Sequence, residues 1–545
     1  MATRASTREL AGFRKLVVGI VRRNRLRLVI WLVAVPGVTL PSLGAYGTVF
    51  GTETGAKGRA LIMATPTGTI FGGPGYGLDN YTMGAMVANE LLIWLNVTIA
   101  LAAILLMVHL TRHEEDTGRL ELVGAAAVGR AAPLTAALTV VAGEVILISL
   151  ALGFGMMAYP ELAKVDCLAL GLAVAATGLT FTGVGAVMAQ LAWTGRAAAG
   201  LSCAVLGVAY ALRAVGDTLA VQGGSGWASW LSPLGWAAQG RIWVNLRWWP
   251  LLLGVACGAA LTVLALILAG RRDQGAAILP EIHGPARADK ALKQPSSLVW
   301  RRIQASFLAW SFGVVAVGAA MGPAMGSLAD YVRDNPAMME FFGLDKSDGI
   351  DPIAEAFSGM VVLYLAVIMG AFGITAMNQM HSDELTGLVA RSLEQPVSRD
   401  KLLGANELTV ALSTLLGMGL GGVAYYGAVV SNRELDPGVA PAVAEAVLRS
   451  FPGLVATVAL ASFLVAVLPR LTALSWPFLA YPAVHQLLST ASDWPAWTRL
   501  AAPLSAASLT PGTPFDWRAS IGLFAVAALL ISAAHQRFRE RDLLA

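Results

Sequence analysis

Twelve apolar blocks run along this chain and restrict its fold more than any other feature. Each is about 20 residues long, the length a helix needs to cross the hydrocarbon core of a bilayer. The blocks lie at 26–47, 84–110, 132–158, 167–190, 197–220, 248–270, 305–325, 355–379, 404–430, 444–468, 471–489 and 518–536. Only 13% of the 545 residues are charged, against roughly 25% in soluble domains. The sequence therefore predicts an all-α polytopic membrane protein with twelve transmembrane helices.

The distribution of Lys and Arg predicts which ends of these spans face the cytoplasm. With both termini inside, the loops on that side hold 26 of the 38 Lys and Arg residues. Cytoplasmic loops carry an excess of these residues, so we expect a protein of the cell membrane with both termini in the cytoplasm. Because this bias explains the basic balance, and no basic patch is interleaved with aromatic residues, we expect no nucleic-acid partner.

The chain also contains an internal duplication. RHEEDTGRLELVGAAAVGR (112–130) aligns without gaps on HSDELTGLVARSLEQPVSR (381–399), an offset of 269. The same offset places Arg272 and Asp273 on Arg541 and Asp542, and an offset of 279 places Arg22, Arg23 and Trp31 on Arg301, Arg302 and Trp310. Six spans are an even number, so the two copies share one orientation and form a parallel repeat. We expect a first half at 1–273, a cytoplasmic linker at 274–300 and a second half at 301–545.

A basic segment precedes the first span of each half. In RELAGFRKLVVGIVRRNRLRLVIW (8–31), apolar residues share one helical face and basic residues lie near the other. Such a helix lies at the membrane interface with its cations toward anionic lipid headgroups. A simple positive-inside anchor would give the same pattern. We therefore expect an interfacial amphipathic helix ahead of each half, in contact with membrane lipids.

The two duplicated loops are the strongest functional candidates. Each follows an even-numbered span, and the first is acidic on a side of the membrane where loops are usually basic. An acidic helix there is a poor ligand for lipid headgroups and a good ligand for a protein. The alternative interpretation is a solvated loop with incidental charges.

At these loops the sequence resembles a known family. EEDTGRLELVGAAAVGR (114–130) is similar to the loop after the second span of type-two ABC exporter permeases, where E-E-x-x-G-R-x-E-x-x-x-x-x-P-x-x-R forms a coupling helix that docks on the ATPase subunit. RRDQGAAILPEIHGPARA (271–288) resembles the linker of double-length actinobacterial permeases for polyketide antibiotics of the tetronasin type. The resemblance implies ATPase contacts at Glu114, Glu115, Gly118, Arg119 and Glu121 in the first loop, and at Asp383, Glu384 and Gly387 in the second.

The match to this pattern is incomplete. Ala127 stands at the proline position of the first copy, whereas Pro396 keeps the proline in the second. Leu388 and Ala390 replace the arginine and the second glutamate in the second copy. We therefore expect the two docking surfaces to differ in strength.

The sequence contains no G-x-x-x-x-G-K-[ST] loop for binding phosphate. The nearest string, GTETGAKG (51–58), has the wrong spacing. The resemblance therefore implies one copy of this chain with two ATPase subunits, expected to be a homodimer, which bind ATP and Mg²⁺. The chain itself is expected to be no enzyme and to bind no cofactor. Cys167, Cys203 and Cys257 have no metal-ligand spacing, so we expect neither a metal nor a disulfide.

Membrane-embedded residues supply the candidates for substrate contact. Glu144 lies near the middle of the third span, where an ionisable residue is a functional candidate by default; it has either a gating or substrate-cation role or an interior hydrogen-bonding role. In the resembled family, the second and fifth spans of each half line the pathway. Their aromatic and polar residues are Trp94, Asn96, Tyr210, Tyr364, Phe372, Trp476, Phe478 and Tyr481. Interfacial anchoring and core packing are the alternatives for these side chains.

These features predict the permease subunit of an ATP-driven exporter of bulky hydrophobic or amphipathic compounds. The alternative is a proton-coupled secondary drug transporter of the major-facilitator type, because EDTGR (115–119) is similar to the D-R-x-G-R loop of that class. Against this alternative, Asp116 replaces the first arginine of that motif, and the acidic run reverses the charge of the loop.

Overall fold

The computed structural model describes residues 9–50, 53–273, 275–279, 292, 294–334, 351–431, 439–489, 498, 502–504, 509 and 515–543. In these residues all regular secondary structure is helical. Eleven helices of the described chain are long and apolar enough to cross a membrane. The protein is therefore an all-α, multi-pass membrane protein, as the apolar blocks predict, while the arrangement of twelve spans in two repeats stays a prediction.

The chain forms two compact units, Met1–Gly284 and Pro285–Ala545. The boundary falls inside the predicted linker, 274–300, much of which lies outside the described residues. Each unit has its own buried apolar core.

The first unit contains six long helices. They are α1 (Phe13–Phe50), α2 (Leu92–Leu110), α3 (Ala132–Met156), α4 (Lys164–Leu191), α5 (Gly195–Val221) and α6 (Trp248–Arg271). The short helices are Glu53–Ala64, Pro66–Phe71, Met83–Met86, Arg112–Asp116, Arg119–Gly124 and Pro233–Gln239. A π-helical turn, Val87–Leu91, leads directly into α2.

Helix α4 lies in the middle of this unit and packs against α2, α3 and α6, while α1 packs along α3. The close approach of α3 to α4 depends on a small residue. A Cβ atom added at Gly178 of α4 would lie 2.5 Å from the Val145 side chain of α3. Small residues at helix contacts are typical of membrane bundles, because they let backbones approach closely.

The second unit has six main helices among its described residues. They are α7 (Pro295–Asp334), α8 (Asp351–Leu385), α9 (Arg399–Val430), α10 (Phe451–Val467), α11 (Ser475–Ser489) and α12 (Trp517–Glu540). Short helices at Leu388–Leu393 and Val439–Arg449 precede α9 and α10. The main packing pairs are α7 with α9 and α10 with α12.

Helix α11 is shorter than the span predicted at 471–489. It has 15 residues and follows a 3₁₀ segment, Pro469–Leu474. Fifteen residues rise about 22 Å, less than the roughly 30 Å of a hydrocarbon core. Residues 490–497, which come next, lie outside the described part of the chain.

The basic segments ahead of the first and seventh spans do not form separate helices. Helix α1 runs without a break from Phe13 to Phe50, and α7 runs from Pro295 to Asp334. The first proline inside α1 is Pro36, so no proline separates the basic residues from the apolar ones. The prediction of a distinct interfacial helix ahead of each half is wrong in this respect.

Candidate coupling junctions

The duplicated loop of each unit turns at a glycine in the left-handed region. Gly118 has φ +70° and Gly387 has φ +75°. Just before each glycine, a threonine hydroxyl donates to the carbonyl three residues earlier, at 3.2 Å for Thr117 and 3.1 Å for Thr386. Because residues with a Cβ are strained at such φ values, glycine is the residue that this turn needs. The two copies build the same turn at the same place.

A buried ion pair fastens each loop to the end of the last helix of its unit. Arg272, just after α6, donates to the Glu115 carboxylate at 2.5 and 2.9 Å. Arg541, just after α12, donates to Glu384 through two bonds of 2.6 Å. All four side chains are less than a tenth exposed. Each pair joins residues 157 positions apart, so the duplication extends to a tertiary contact.

A second ion pair fastens each loop to the first helix of its unit. Arg23 of α1 lies 2.7 Å from the Glu114 carboxylate. In the second unit Arg302 of α7 pairs with Asp383. Arg302 also donates to the Asn406 side-chain oxygen of α9 at 2.5 Å. The first helix of each unit is thereby tied to the acidic start of the loop.

A third repeated contact comes from the arginine that ends each loop. Arg130 donates to the carbonyl of Arg272 at 2.8 Å, and Arg399 donates to the carbonyl of Arg541 at 2.6 Å. A basic side chain on the last carbonyls of a helix caps it favourably. We call the loop 112–130 with Arg23 and Arg272 the first junction. The loop 381–399 with Arg302 and Arg541 is the second junction.

Two of the substitutions between the junctions change their internal contacts. In the first, Arg112 is buried and donates to the carbonyls of Trp193, Gly275 and Ala276, whereas His381 occupies that position in the second. Asp116 accepts a hydrogen bond of 2.6 Å from the Gly195 N–H at the start of α5. Its counterpart, Leu385, is 57% exposed. The first junction therefore reaches two more segments, and the second presents more apolar surface.

The residues expected to contact an ATPase fall into three groups. Arg119 and Glu121 are exposed, and Leu122 beside them is 78% exposed. Glu114, Glu115, Asp383 and Glu384 are instead engaged in the ion pairs within their own units. Gly118 and Gly387 form the turns. Most of the acidic charge in the loops is therefore compensated internally.

The aromatic and polar candidates for substrate contact in the first unit have different surroundings. Trp94 is about half exposed and stacks on Phe71, with ring centroids 6.3 Å apart. Asn96 is buried, and its side-chain amide has no hydrogen-bond partner among the described residues. Tyr210 donates to the Ile70 carbonyl at 2.9 Å. Glu144 is buried beside a small cavity.

The candidates in the second unit are divided between core and surface. Phe372 is fully buried against Phe307. Tyr364 and Trp476 are each 44% exposed, Phe478 is half-buried, and Tyr481 donates to the Thr498 carbonyl at 3.1 Å. Phe372 therefore has the surroundings of a core residue, whereas Tyr364 and Trp476 have faces available for other contacts.

The arginine partners of the loop acids are functional candidates that the sequence alone did not connect with the loops. The duplication shows only that these arginines are repeated, Arg23 as Arg302 and Arg272 as Arg541. A sequence signal for these pairs does exist, because the acids and the arginines are both repeated in the two halves. A buried charge is retained only when it is paired, so repeated charges of opposite sign indicate a repeated ion pair.

Comparison with known proteins places the chain in a family. The family model for the C-terminal domain of the multidrug efflux system permease Rv1217c matches residues 292–539. The multidrug efflux system permease protein Rv1217c of Mycobacterium tuberculosis (strain ATCC 25618 / H37Rv) is 33% identical over 534 residues, which cover 96% of this chain and 93% of that protein. The chain belongs to this family of multidrug efflux permeases. The resemblance to type-two ABC exporter permeases is thereby confirmed, and this permease is a transport component.

Proposed function

We propose that this permease is the membrane subunit of an ATP-driven drug exporter, built as two parallel six-helix halves and driven by separate ATPase subunits. The observation that carries the proposal is the ion pair Glu115–Arg272, repeated as Glu384–Arg541. A repeated buried attachment between a short loop and the last helix of each unit is what a transmission element requires. The membership in a multidrug efflux family supports the drug-efflux role.

The transmission step follows from the contacts of each junction. The first loop is continuous with α2, is paired to α1 through Arg23 and to the end of α6 through Arg272, and leads into α3. A displacement of the loop therefore moves the adjoining ends of four helices together. ATP binding to the partner favours one state of the helices only if the partner binds that state more tightly.

The docking surface in this proposal consists of the exposed residues of each loop. In the first junction these are Arg119, Glu121 and Leu122, and in the second Leu385 and Leu388. Glu115 and Glu384 hold the loops in place behind that surface. One ATPase subunit docks on each junction at the cytoplasmic face, and the ATPase pair, which we propose is a homodimer, binds ATP and Mg²⁺.

The cargo proposed for this exporter is a bulky hydrophobic or amphipathic compound. The excess of Lys and Arg in the loops on one side of the membrane supports a cell-membrane location with cytoplasmic termini. We propose as pathway residues Trp94, Asn96 and Tyr210 in the first half, with Tyr364, Trp476, Phe478 and Tyr481 in the second. Phe372 is left out because it is fully buried in the core.

The test is co-purification with any P-loop ATPase that a reading frame next to that of this chain encodes. The variant Glu121→Arg with Leu388→Glu changes only exposed loop side chains, so we expect loss of the complex and of drug-stimulated ATP hydrolysis with no change in the melting temperature of the permease. Glu161→Arg is the matched control, because Glu161 is an exposed acid between α3 and α4, at the opposite end of the unit. Assembly and coupling that survive the loop variant would refute the docking surface.

A further inference from the structure

Glu144 is an isolated acid at the centre of a membrane-spanning helix. It is the thirteenth of the 25 residues of α3, so it lies about 18 Å from either end of the helix. The residue is only 8% exposed, and its Oε1 atom has no hydrogen-bond partner among the described residues. An unpaired charge at this depth is costly, so the position requires a functional explanation.

A cavity of about 10 Å³ adjoins the Glu144 side chain. Its walls come from α1, α2 and α3 and include Trp31, Ile99, Ala103 and Val145. Every wall residue other than Glu144 is apolar or aromatic, and none of them carries a positive charge. The volume is roughly that of one bound water molecule.

The second unit provides an internal comparison for this site. The offset of 269 pairs Glu144 with Ser413 and Ala103 with Phe372. The Ser413 hydroxyl donates to the Thr409 carbonyl at 2.7 Å, so it is satisfied within its own helix. Phe372 is fully buried, with its ring centroid 5.8 Å from that of Phe307 on α7. The second unit therefore has a satisfied hydroxyl where the first has an unpartnered acid, and a large buried ring where the first has a small side chain.

We propose that Glu144 and Trp31 form a binding site for the charged group of a lipophilic cation, such as a quaternary ammonium or phosphonium ion. The proposal rests on the efflux function proposed above and names the substrate class. A carboxylate attracts a cation strongly in a medium of low dielectric constant. The indole face of tryptophan adds a cation–π attraction. A cation is thus the ligand class that compensates the isolated acid.

The position of α1 provides a way in for the rest of such a ligand. Helix α1 packs along α3 and has only slight contact with α2. Val29, Ile30 and Val33 of α1 are each more than half exposed on the unit surface. A displacement of α1 away from α2 would open the cavity toward this apolar surface. In the proposed complex the hydrophobic part of the cation lies there, while its charge faces Glu144.

The experiment measures binding of radiolabelled tetraphenylphosphonium to the purified full chain by scintillation proximity, without any ATPase. Glu144→Gln removes the charge at constant size, and Ala103→Phe places a large ring in the cavity wall, the residue type that Phe372 has at the matching position of the second unit. We expect each to raise the Kd for tetraphenylphosphonium by about tenfold or more. Glu144→Asp should keep part of the affinity, and Ser413→Ala, the matched change in the second unit, should bind as the unaltered chain does. An uncharged competitor of similar size should displace the probe only weakly.

Three results would overturn the proposal: no saturable binding to the unaltered chain, unchanged affinity in Glu144→Gln, or an equal loss in Ser413→Ala. If Glu144→Gln does not elute as a folded species, Ala103→Phe decides the question, because it leaves the acid in place; unchanged binding there would overturn the proposal as well. Intact cation binding together with failure to couple to an ATPase would refute the proposed ATP-driven mechanism and leave this site standing.

Discussion

Glu115 and Arg272 lie 157 residues apart in the chain and form a two-point ion pair with N–O distances of 2.5 and 2.9 Å. Glu384 and Arg541 form the same pair at the same separation. The formation of a buried pair adds little net stability, because both charges lose their hydration, but removal of one partner leaves the other charge buried and unpaired. These pairs therefore behave as attachments that resist being opened.

Because each ion pair is buried, neutralising its glutamate should strongly lower the stability of the protein. Glu115→Gln leaves Arg272 buried without its carboxylate, so we expect a loss of about 3–5 kcal/mol in the free energy of unfolding. Glu384→Gln should produce a similar loss in the second unit. Chemical unfolding of the purified chain in detergent measures both. Glu161→Gln, at an exposed acid, is the control, and a loop variant as stable as this control would contradict the attachment.

The turn glycines predict a backbone effect that is independent of packing. A Cβ added at Gly118 or Gly387 would meet nothing within 4 Å, so Gly118→Ala and Gly387→Ala should each cost about 1–2 kcal/mol through the left-handed φ alone. Asparagine at either position should cost less, because it tolerates that region better. Gly200→Ala in helix α5, where a Cβ also meets nothing, should be neutral or slightly stabilising. Equal melting temperatures for all three alanine variants would contradict the role of the turn.

The arginines that end the loops predict unequal effects in the two units. Arg399 donates to the carbonyls of Phe538, Arg539 and Arg541, whereas among the described residues Arg130 donates only to that of Arg272. Arg399→Ala should therefore speed amide hydrogen exchange in the last turn of α12 more than Arg130→Ala does in the last turn of α6. The reverse order would show that these capping contacts do not set local stability.

A buried arginine predicts how the segment between α1 and α2 is held. Arg213 is fully buried, lies 3.5 Å from Asp217 and donates to the carbonyls of Thr69 and Ile70. Arg213→Ala removes these contacts and leaves Asp217 buried without its cation, so we expect faster proteolysis of the segment 53–82 in limited digestion. Arg196→Ala, at an exposed arginine of the same helix, is the control. Identical cleavage of both variants would exclude this anchoring role.

The sequence was sufficient for much of the fold, because span length and hydropathy follow directly from the thickness of a bilayer. The prediction was wrong at some helix boundaries. The basic residues before Leu26 continue into α1 because no proline precedes Pro36. The segment 471–489 was apolar enough to be predicted as a span, but its helix begins only at Ser475, after a 3₁₀ segment.

The candidate site was only partly predictable for a different reason. The duplication located both loops and identified Arg272 and Arg541 as repeated residues. A sequence shows which residues are charged, however, and does not show which of them are buried. Glu115 and Glu384 therefore suggested exposed ligands, whereas they are internal partners of those arginines. The cavity beside Glu144 depends on how three helices pack, which no residue pattern in one helix reveals.

The central claim, that separate ATPase subunits drive export through the two junctions, is tested most directly by drug accumulation in inside-out vesicles. Vesicles contain the permease with or without its ATPase, and a protonophore abolishes any proton gradient. We expect uptake that requires both ATP and the ATPase, persists with the protonophore, and is lost in the Glu121→Arg, Leu388→Glu variant. Uptake that proceeds without any ATPase on an imposed proton gradient and collapses with the protonophore would contradict it.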